Sequence, residues 1–246
     1  MRIAMASILP SDEAISGPPM HGFRGDSPDE PATQPRGLTV AISREAGARG
    51  TSIAHKLGEL LGWQVFDQEM LDQLLVNESG RAQLLSELSD SARAWIDSRF
   101  EQLQRESRGK SDSESKDAIR LVLAVAARGD AVIVGRGAGF LLPEETTLHV
   151  RIVASFESRV SFLAQSLRLT REEAAAEVKT RDDRRAQYLK RTLSREPSDS
   201  TGYDVVVNST RLGVEGAAQF IGWAVRTKQQ FADLIGPPGV DDILGA

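Results

Sequence analysis

The sequence contains no cysteine, which excludes a disulfide framework, a thiolate metal site and a cysteine nucleophile. It has no apolar run near the roughly 20 residues that a membrane-spanning helix requires, and MRIAMASILP is too short for a secretory signal with a cleavage site. Positive charge is in the minority, with 30 Lys and Arg against 35 Asp and Glu. We therefore expect a soluble, cytoplasmic protein that does not coat nucleic acid and whose anion sites are local.

The chain is long enough for one full hydrophobic core and an appendage, since it has 246 residues, of which 40% are hydrophobic. The appendage is the leader, residues 1–37, where Ser11–Gly37 is dense in proline, glycine, serine and acidic residues without periodicity. We predict that this leader is disordered; a start codon set too far upstream would give the same sequence. The folded domain is then residues 38–246.

Short apolar strands alternate with amphipathic helices along this domain. The predicted strands are LTVAI, WQVF, AVIVG, LHVRIVA and YDVVVNS, at residues 38–42, 63–66, 131–135, 148–154 and 203–209. The predicted helices cover residues 51–61, 67–104, 117–128, 157–167, 170–189 and 213–235, with a polar loop at 105–117. This alternation is typical of a parallel α/β sheet with helices on both faces.

The first strand leads into a glycine-bearing turn and then a helix, the order of a phosphate-binding loop GxxxxGK[ST]. With the template's hydroxyl placed at Thr51, Gly50 stands at the lysine position, and Arg49 and Arg44 stand at the two glycine positions. Gly47 and Gly50 still allow close backbone approach. The chain therefore keeps the parts of an anion site but lacks the ammonium group.

The start of this first helix adds further features of an anion site. Thr51 and Ser52 are expected to cap the helix, whose N-terminal partial charge favours anions. Arg44 and Arg49 supply guanidinium groups, which bind phosphate well. We expect a lysine restored at Gly50 to add little, because Arg49 fills its space. A turn that uses its glycines only for tightness is the alternative.

A second group of arginines lies in the segment KTRDDRRAQYLKR. Arg181, Arg184 and Arg185 are spaced so that they share one face of a helix and can close over a triphosphate. The alternative is a solvated helix in which Asp182 and Asp183 pair with neighbouring arginines.

Two residues follow predicted strands directly, at the edge where open α/β sheets bind ligands. Arg136 comes after AVIV, between two glycines. Asp67 follows WQVF and is suited to hold a sugar hydroxyl or a base amine, or to place magnesium through water. An N-cap of the following helix is an equally good interpretation of Asp67.

The histidines and tryptophans receive no catalytic role from the sequence. Neither His55 nor His149 has a paired carboxylate or a second histidine at ligand spacing. Tryptophan is more often a core residue than a base-stacking platform. We therefore expect core positions for Trp63, Trp95 and Trp223.

The chain resembles the cytidylate kinase-like family of P-loop proteins over about residues 38–221. Four of its segments occur in the order found in that family: the loop described above, AVIVGRGAGFLLPEETTLHVRIVASFESRV, RDDRRAQY and YDVVVNST. That family typically shows a loop like S-R-E-x-G-S-G-G, in which glycine replaces lysine. The resemblance implies a nucleoside monophosphate kinase fold: a five-stranded parallel core, a phosphate loop, a helical substrate-side insertion and an arginine-bearing lid at about residues 179–201.

The activity implied by the resemblance is transfer of the γ-phosphoryl group of ATP to a nucleoside monophosphate, with Mg²⁺. The matching positions imply that ATP is bound by Ser43, Arg44, Gly47, Gly50, Thr51 and Asn208, with Thr51 also the magnesium ligand. They imply that the acceptor is bound by Asp67, Arg136 and Arg159, and that Arg136 and Arg185 are catalytic. From the residues themselves we add Ser52 at the helix start to the ATP site, and Arg49 and Arg181 to the catalytic residues. Because Ala48 and Arg49 depart from the family's S-G pair, a nucleotide-binding sensor or regulatory protein that has lost transfer is the alternative.

Overall fold

The computed structural model describes residues 37–106 and 113–235. Residues 1–36 of the predicted leader, residues 107–112 of the predicted polar loop and residues 236–246 lie outside the described residues. Within the described ranges, one sheet of five parallel strands has the order β2-β3-β1-β4-β5. These strands are β1 (Thr39–Arg44), β2 (Gln64–Phe66), β3 (Ala131–Val134), β4 (Thr147–Val153) and β5 (Val205–Asn208). The predicted α/β class is confirmed, and each predicted strand is found within two residues of its predicted bounds.

Helices cover both faces of the sheet. They are α1 (Gly50–Leu61), α2 (Gln68–Val76), α3 (Glu78–Ser86), α4 (Asp90–Glu106), α5 (Ser113–Arg128), α6 (Ala138–Leu141), α7 (Phe156–Leu167), α8 (Arg171–Leu193) and α9 (Ser209–Ile235). A 3-10 turn spans Ser200–Gly202. Gly213 interrupts α9 with a φ of 67°, which lies outside the helical region.

The helical prediction differs from the structure at five places. Helix α8 ends four residues after its predicted end, and α9 begins four residues before its predicted start. The span predicted as helical over residues 67–104 is divided into α2, α3 and α4, because the side chain of Asn77 accepts a hydrogen bond from the Gly80 amide and starts a new helix there. Helix α5 begins at Ser113, four residues before the predicted start. Helix α6 was not predicted, since four residues are too few to show a periodicity.

Two hydrophobic clusters sandwich the sheet, as alternation along β1 requires. Val40 and Ile42 point to the cluster under α1 and α9, and Ala41 points to the cluster under α2–α6. A third, smaller cluster joins α7 to α8 through Val160, Leu163, Ala174 and Val178. Helices α7 and α8 therefore pack on each other through a core of their own.

The three tryptophans do not share one environment. Trp95 is buried in the cluster under α2–α6 and Trp63 is half-buried, but the side chain of Trp223 is 65% exposed. The core position expected for Trp223 is therefore wrong, because this residue lies on a different side of α9 from the buried Ile221 and Val225.

No helix in the described ranges is long and apolar enough to cross a membrane.

Candidate active site

The phosphate loop joins β1 to α1 and owes its shape to two residues in the left-handed region. Gly47 has a φ of 77° and Arg49 a φ of 59°. A Cβ atom built on Gly47 would lie 2.6 Å from the carbonyl oxygen of Arg159 in α7. Only glycine fits at position 47, because α7 packs directly against the loop backbone.

Several amide groups of this loop point to no acceptor. The amides of Ala48 and Ile53 donate to the carbonyl oxygens of Glu45 and Arg49. Five other amides have no hydrogen-bond acceptor in the part of the chain that the structure describes, those of Gly47, Arg49, Gly50, Thr51 and Ser52. Unpaired amides at the start of a helix form a concave donor surface for an anion.

The predicted capping of α1 by Thr51 and Ser52 is wrong. The helix begins at Gly50, so these two residues lie inside its first turn, and the N-cap residue, Arg49, makes no side-chain capping hydrogen bond. The side chains of Thr51 and Ser52 are exposed instead. They are available to a ligand because they are not used to close the helix.

The side chain of Arg44 fills the space of the missing lysine. A Cβ atom on Gly50 would lie 2.8 Å from the Cβ of Arg44, and a Cβ on Gly135 would lie 2.3 Å from its Nη1. Its Nη2 donates to Gln68 Oε1 over 3.2 Å. The side chain therefore runs along the phosphate loop, and its guanidinium lies between the turn after β3 and the start of α2. The expectation that Arg49 fills this space is wrong, since the Arg49 guanidinium lies 5.1 Å from the centre of the Phe162 ring in α7.

Three arginines from different elements lie close together at this edge of the sheet. Burial lowers the pKa of Arg44 to about 10, and the positive charge of Arg185 lowers it further. The negative charge of Asp67 opposes this, and Arg136 adds the smallest lowering effect. The pKa of Arg185 is also lowered, chiefly by burial. A group of partly buried like charges is unfavourable by itself, and bound negative charge would relieve it.

Arg136 follows β3 with a φ of 53° and is held by α2. Its Nη2 donates a short hydrogen bond to Asp72 Oδ1, and its buried Nε has no partner within the described ranges. Asp72 was not predicted to be a site residue. No spacing rule relates it to Arg136, although its place in the polar part of MLDQLL is a weak signal that it points away from the core.

Asp67 uses both carboxylate oxygens within the structure. Its Oδ1 accepts from the Met70 amide over 3.0 Å, so Asp67 is the N-cap of α2. Its Oδ2 lies 3.1 Å from His55 Nε2 of α1. His55 therefore does have a carboxylate partner, contrary to the expectation from sequence spacing. The two residues are twelve positions apart, and the fold of β2 brings them together.

The lid helix α8 is fastened to the phosphate loop through Asp182. Its Oδ1 accepts from the Ala46 amide over 2.7 Å, and its Oδ2 accepts from Arg159 Nη1 over 2.5 Å. Arg185 Nη1 lies 3.6 Å from the same carboxylate, and Arg159 Nε lies 3.5 Å from Glu45 Oε2. The alternative interpretation of the sequence, in which Asp182 pairs with neighbouring arginines, is therefore observed. Arg185 is on the same helix as Asp182, and Arg159 is on α7.

The structure places four other predicted site residues away from the arginine cluster or in structural contacts. Arg181 Nε donates to Glu177 on its own helix over 2.6 Å, and Arg184 is exposed. Ser43 Oγ lies 3.0 Å from Nε2 of the buried His149, whose pKa burial lowers to about 4. Asn208 ends β5, where its side chain accepts from the Thr210 amide.

Comparison with known proteins identifies a family and similar folds. The model of the cytidylate kinase-like family matches residues 39–211. An uncharacterized protein from Eubacterium ventriosum has a similar fold, with a TM-score of 0.55 and 18% identity over 78% of this chain and 99% of that chain. The shikimate kinase from Acinetobacter baumannii, solved in complex with shikimate, has a TM-score of 0.44 and 12% identity over 79% and 96% of the two chains.

No protein among those with curated descriptions matches the chain. At 18% identity, the Eubacterium ventriosum structure is evidence of the fold alone. The family match covers more than half of the chain, and the parallel sheet with strand order β2-β3-β1-β4-β5 is a kinase-like nucleotide-binding fold. The chain therefore belongs to the cytidylate kinase-like family.

Proposed function

We propose that the protein transfers the γ-phosphoryl group of ATP to a nucleoside monophosphate, with Mg²⁺. The observation that supports this most is the convergence of Arg44, Arg136 and Arg185 beside a loop with free amide donors. Phosphoryl transfer depends on alignment and on positive charge near the phosphate oxygens more than on covalent chemistry. The family match supports a kinase-type reaction without defining the acceptor.

On the donor side, the free amides from Gly47 to Ser52 would hold the phosphates of ATP. Arg44 would take the role of the absent lysine, because its stem lies against Gly50 at the lysine position and its guanidinium lies against Gly135, which leaves the side chain little room to move. Its charge persists at neutral pH, since its lowered pKa of about 10 is still well above 7. A fixed cation of this kind costs no reorganisation during the reaction.

On the acceptor side, Arg136 would hold the phosphate of the nucleoside monophosphate. It lies at the carboxyl end of β3, and Asp72 fixes the direction of its guanidinium. Asp67 and Gln68 lie at the neighbouring end of β2, where a sugar or base would extend. Arg185 reaches this region from the lid and would neutralise charge on the phosphoryl group in transit, a role that supplied arginines have in other phosphotransferases.

The residues present fit a magnesium ion that is held mainly by the nucleotide. Thr51 offers an exposed hydroxyl at the start of α1, but no group of three or more metal-ligating side chains occurs among the residues described. Magnesium typically takes one or two protein ligands and fills its remaining positions with phosphate oxygens and water. Bound there, it would neutralise charge on the phosphates of ATP.

Thermal shift and ADP release test the proposal in sequence. We expect MgATP to raise the melting temperature, because a ligand at 100 times its Kd adds about 2.7 kcal/mol to the free energy of unfolding. We then expect ADP release with at least one member of a panel of nucleoside monophosphates. A rise in melting temperature without ADP release for any acceptor would favour the sensor function instead, and no rise with any nucleotide would disprove both.

Arg136→Ala and Arg185→Ala are expected to affect different kinetic constants. Arg136→Ala should raise KM for the acceptor by about tenfold or more, because a charge-assisted bidentate contact to its phosphate is lost. Arg185→Ala should lower kcat by at least about 10²-fold with little change in ATP binding. Steady-state kinetics with both substrates measures this difference. Arg184→Ala, an exposed residue of the same helix, is the control and should behave as wild type, whereas wild-type constants in both site variants would show that the site is misplaced.

A further inference from the structure

A cavity of about 640 Å³ lies between helices α4 and α6, the start of β4 and the segment that precedes β5. Its lining includes no residue of the phosphate loop and none of Arg44, Arg136 and Arg185. Cavities of about 300–1,000 Å³ are of the size that holds small organic molecules in proteins. The volume is therefore sufficient for a small ligand, at a place separate from the proposed kinase site.

The floor of this cavity is the first part of β4. Alternate residues of a strand point to opposite faces of its sheet, and Leu148 belongs to the cluster under α1 and α9. Thr147 and His149 therefore point to the other face, toward the cavity that they line. The His149 ring lies 4.7 Å from that of Phe140 and 4.5 Å from that of Tyr203, measured between centroids. The floor is thus partly aromatic.

The hydroxyl group of Thr147 has no hydrogen-bond partner. Thr147 is 2% exposed, and its buried Oγ1 makes no hydrogen bond within the described ranges. A buried hydroxyl without a partner is both uncommon and unfavourable, because it loses its bonds to water and gains none in return. An unpaired oxygen in the floor of a cavity therefore indicates a ligand that supplies the missing bond.

Carboxylates predominate around the cavity. Six of its lining residues are acidic, whereas two are arginines, Arg99 and Arg195. Two of the carboxylates pair with lysines, those of Glu196 and Asp204. The other four form no salt bridge among the residues described: Glu106, Glu144, Glu145 and Asp199. His149 adds no positive charge near neutral pH, since burial lowers its pKa to about 4. An excess of negative charge in a concave site attracts cations.

We propose that the cavity binds a small organic amine that is protonated near neutral pH. Its ammonium group donates a charge-assisted hydrogen bond to Thr147 Oγ1. Glu144 and Glu145 precede Thr147 by three and two residues, so their carboxylates belong to the same wall and balance the charge. The apolar body of the amine lies against the rings of Phe140 and Tyr203. A metal ion fits less well, because no group of three or more metal-ligating side chains occurs in the part of the chain that the structure describes.

Amines and alcohols that share one carbon skeleton test the charge of the ligand. Tryptamine and phenethylamine carry an ammonium group, and tryptophol and phenethyl alcohol carry a hydroxyl in its place. In calorimetric titration of the full chain, at least one amine should bind to one site about tenfold or more tightly than its alcohol. Saturating MgATP should leave its Kd unchanged, because the two sites share no residue.

Three outcomes of these titrations would overturn the proposal. An alcohol that binds as tightly as its amine would show that the carboxylates do not select a cation. Displacement of the amine by MgATP would place it in the kinase site. Absence of binding by both amines up to about 10 mM would show that solvent alone satisfies Thr147. Failure of MgATP to bind would contradict the proposed kinase function and would leave the amine titrations unaffected.

Thr147→Val tests the site itself, since valine keeps the branched shape and removes the hydroxyl. The melting temperature should not fall, because Oγ1 makes no hydrogen bond within the described ranges. The Kd for the amine should nevertheless rise about tenfold or more, as expected when a hydrogen bond to a charged group is lost. Unchanged amine binding, or a lower melting temperature, would contradict the role of this hydroxyl.

Glu145→Gln tests the contribution of the carboxylates. This variant should raise the Kd for the amine about threefold, because an exposed charge contributes modestly. Glu172→Gln is the matched control, since Glu172 is an exposed carboxylate of α8 that does not line the cavity. It should bind the amine as wild type does. Equal effects of the two variants would show that the negative charge of the cavity is not specific to binding.

Discussion

Replacing Arg44 by methionine is expected to lower kcat/KM for phosphoryl transfer by about 10³-fold, because supplied arginines in phosphotransferases contribute about 10³–10⁵ in rate. Methionine keeps the apolar stem that packs over Gly50 and removes the charged guanidinium that lies against Gly135. The melting temperature should not fall, since the lowered pKa of Arg44 shows that its charged form is disfavoured by burial and by Arg185 and Arg136. Coupled ADP release and thermal unfolding measure the two effects.

Lysine at position 44 separates charge from the shape of the guanidinium. Lysine has a lower ordinary pKa than arginine, and the burial and positive neighbours that lower the pKa of Arg44 would lower that of a lysine as well. Arg44→Lys should therefore be partly active near neutral pH and lose activity as pH rises, before wild type does. A methionine variant with wild-type kcat/KM would contradict the role given to Arg44.

Restoring the standard lysine by Gly50→Lys is expected to lower kcat/KM by about 10²-fold or more instead of improving it. The first side-chain atom at position 50 would lie 2.8 Å from the Cβ of Arg44, which is closer than real Cβ contacts, so Arg44 must move. Displacing a cation from an aligned site costs rate even when charge is conserved. Steady-state kinetics of the folded variant measures the loss.

Two further variants make the comparison specific. Gly222→Ala is the control, because a Cβ there would meet only the Leu57 Cδ1 at 3.8 Å, an ordinary contact, and activity should be unchanged. Combining Gly50→Lys with Arg44→Gly restores the template's lysine and its leading glycine, while Arg49 still stands at the second glycine position. This double variant should be more active than either single one. Higher activity of Gly50→Lys alone would show that Arg44 does not occupy the lysine's place.

The strands and the edge of the sheet that carries the site were predictable, because they depend on local patterns. Apolar runs rich in β-branched residues marked the strands, and the turn after each strand marked the ligand-binding edge. The glycine-bearing turn before α1 was recognised for the same reason. Arg136 was singled out because it follows a strand directly between two glycines, which is visible in the sequence alone.

The pairings between distant residues were not predictable in this way. Three such pairs join elements whose relative positions depend on the packing of the whole domain. They are Asp72 with Arg136, His55 with Asp67, and Asp182 with the Ala46 amide. The direction of Arg44 was missed because side-chain torsions carry no sequence signal. Trp223 was misplaced because residue type favours burial, whereas its position on α9 decides its exposure.

The central claim is that arginine and the free loop amides bind a polyphosphate without a loop lysine. Calorimetric titration of MgATP into wild type and Arg44→Met tests this claim most directly. We predict saturable binding to one site on wild type and an affinity at least about tenfold weaker for the variant, as expected when one charge-assisted contact is lost. Equal binding by both proteins, or no binding by folded wild type, would contradict the account.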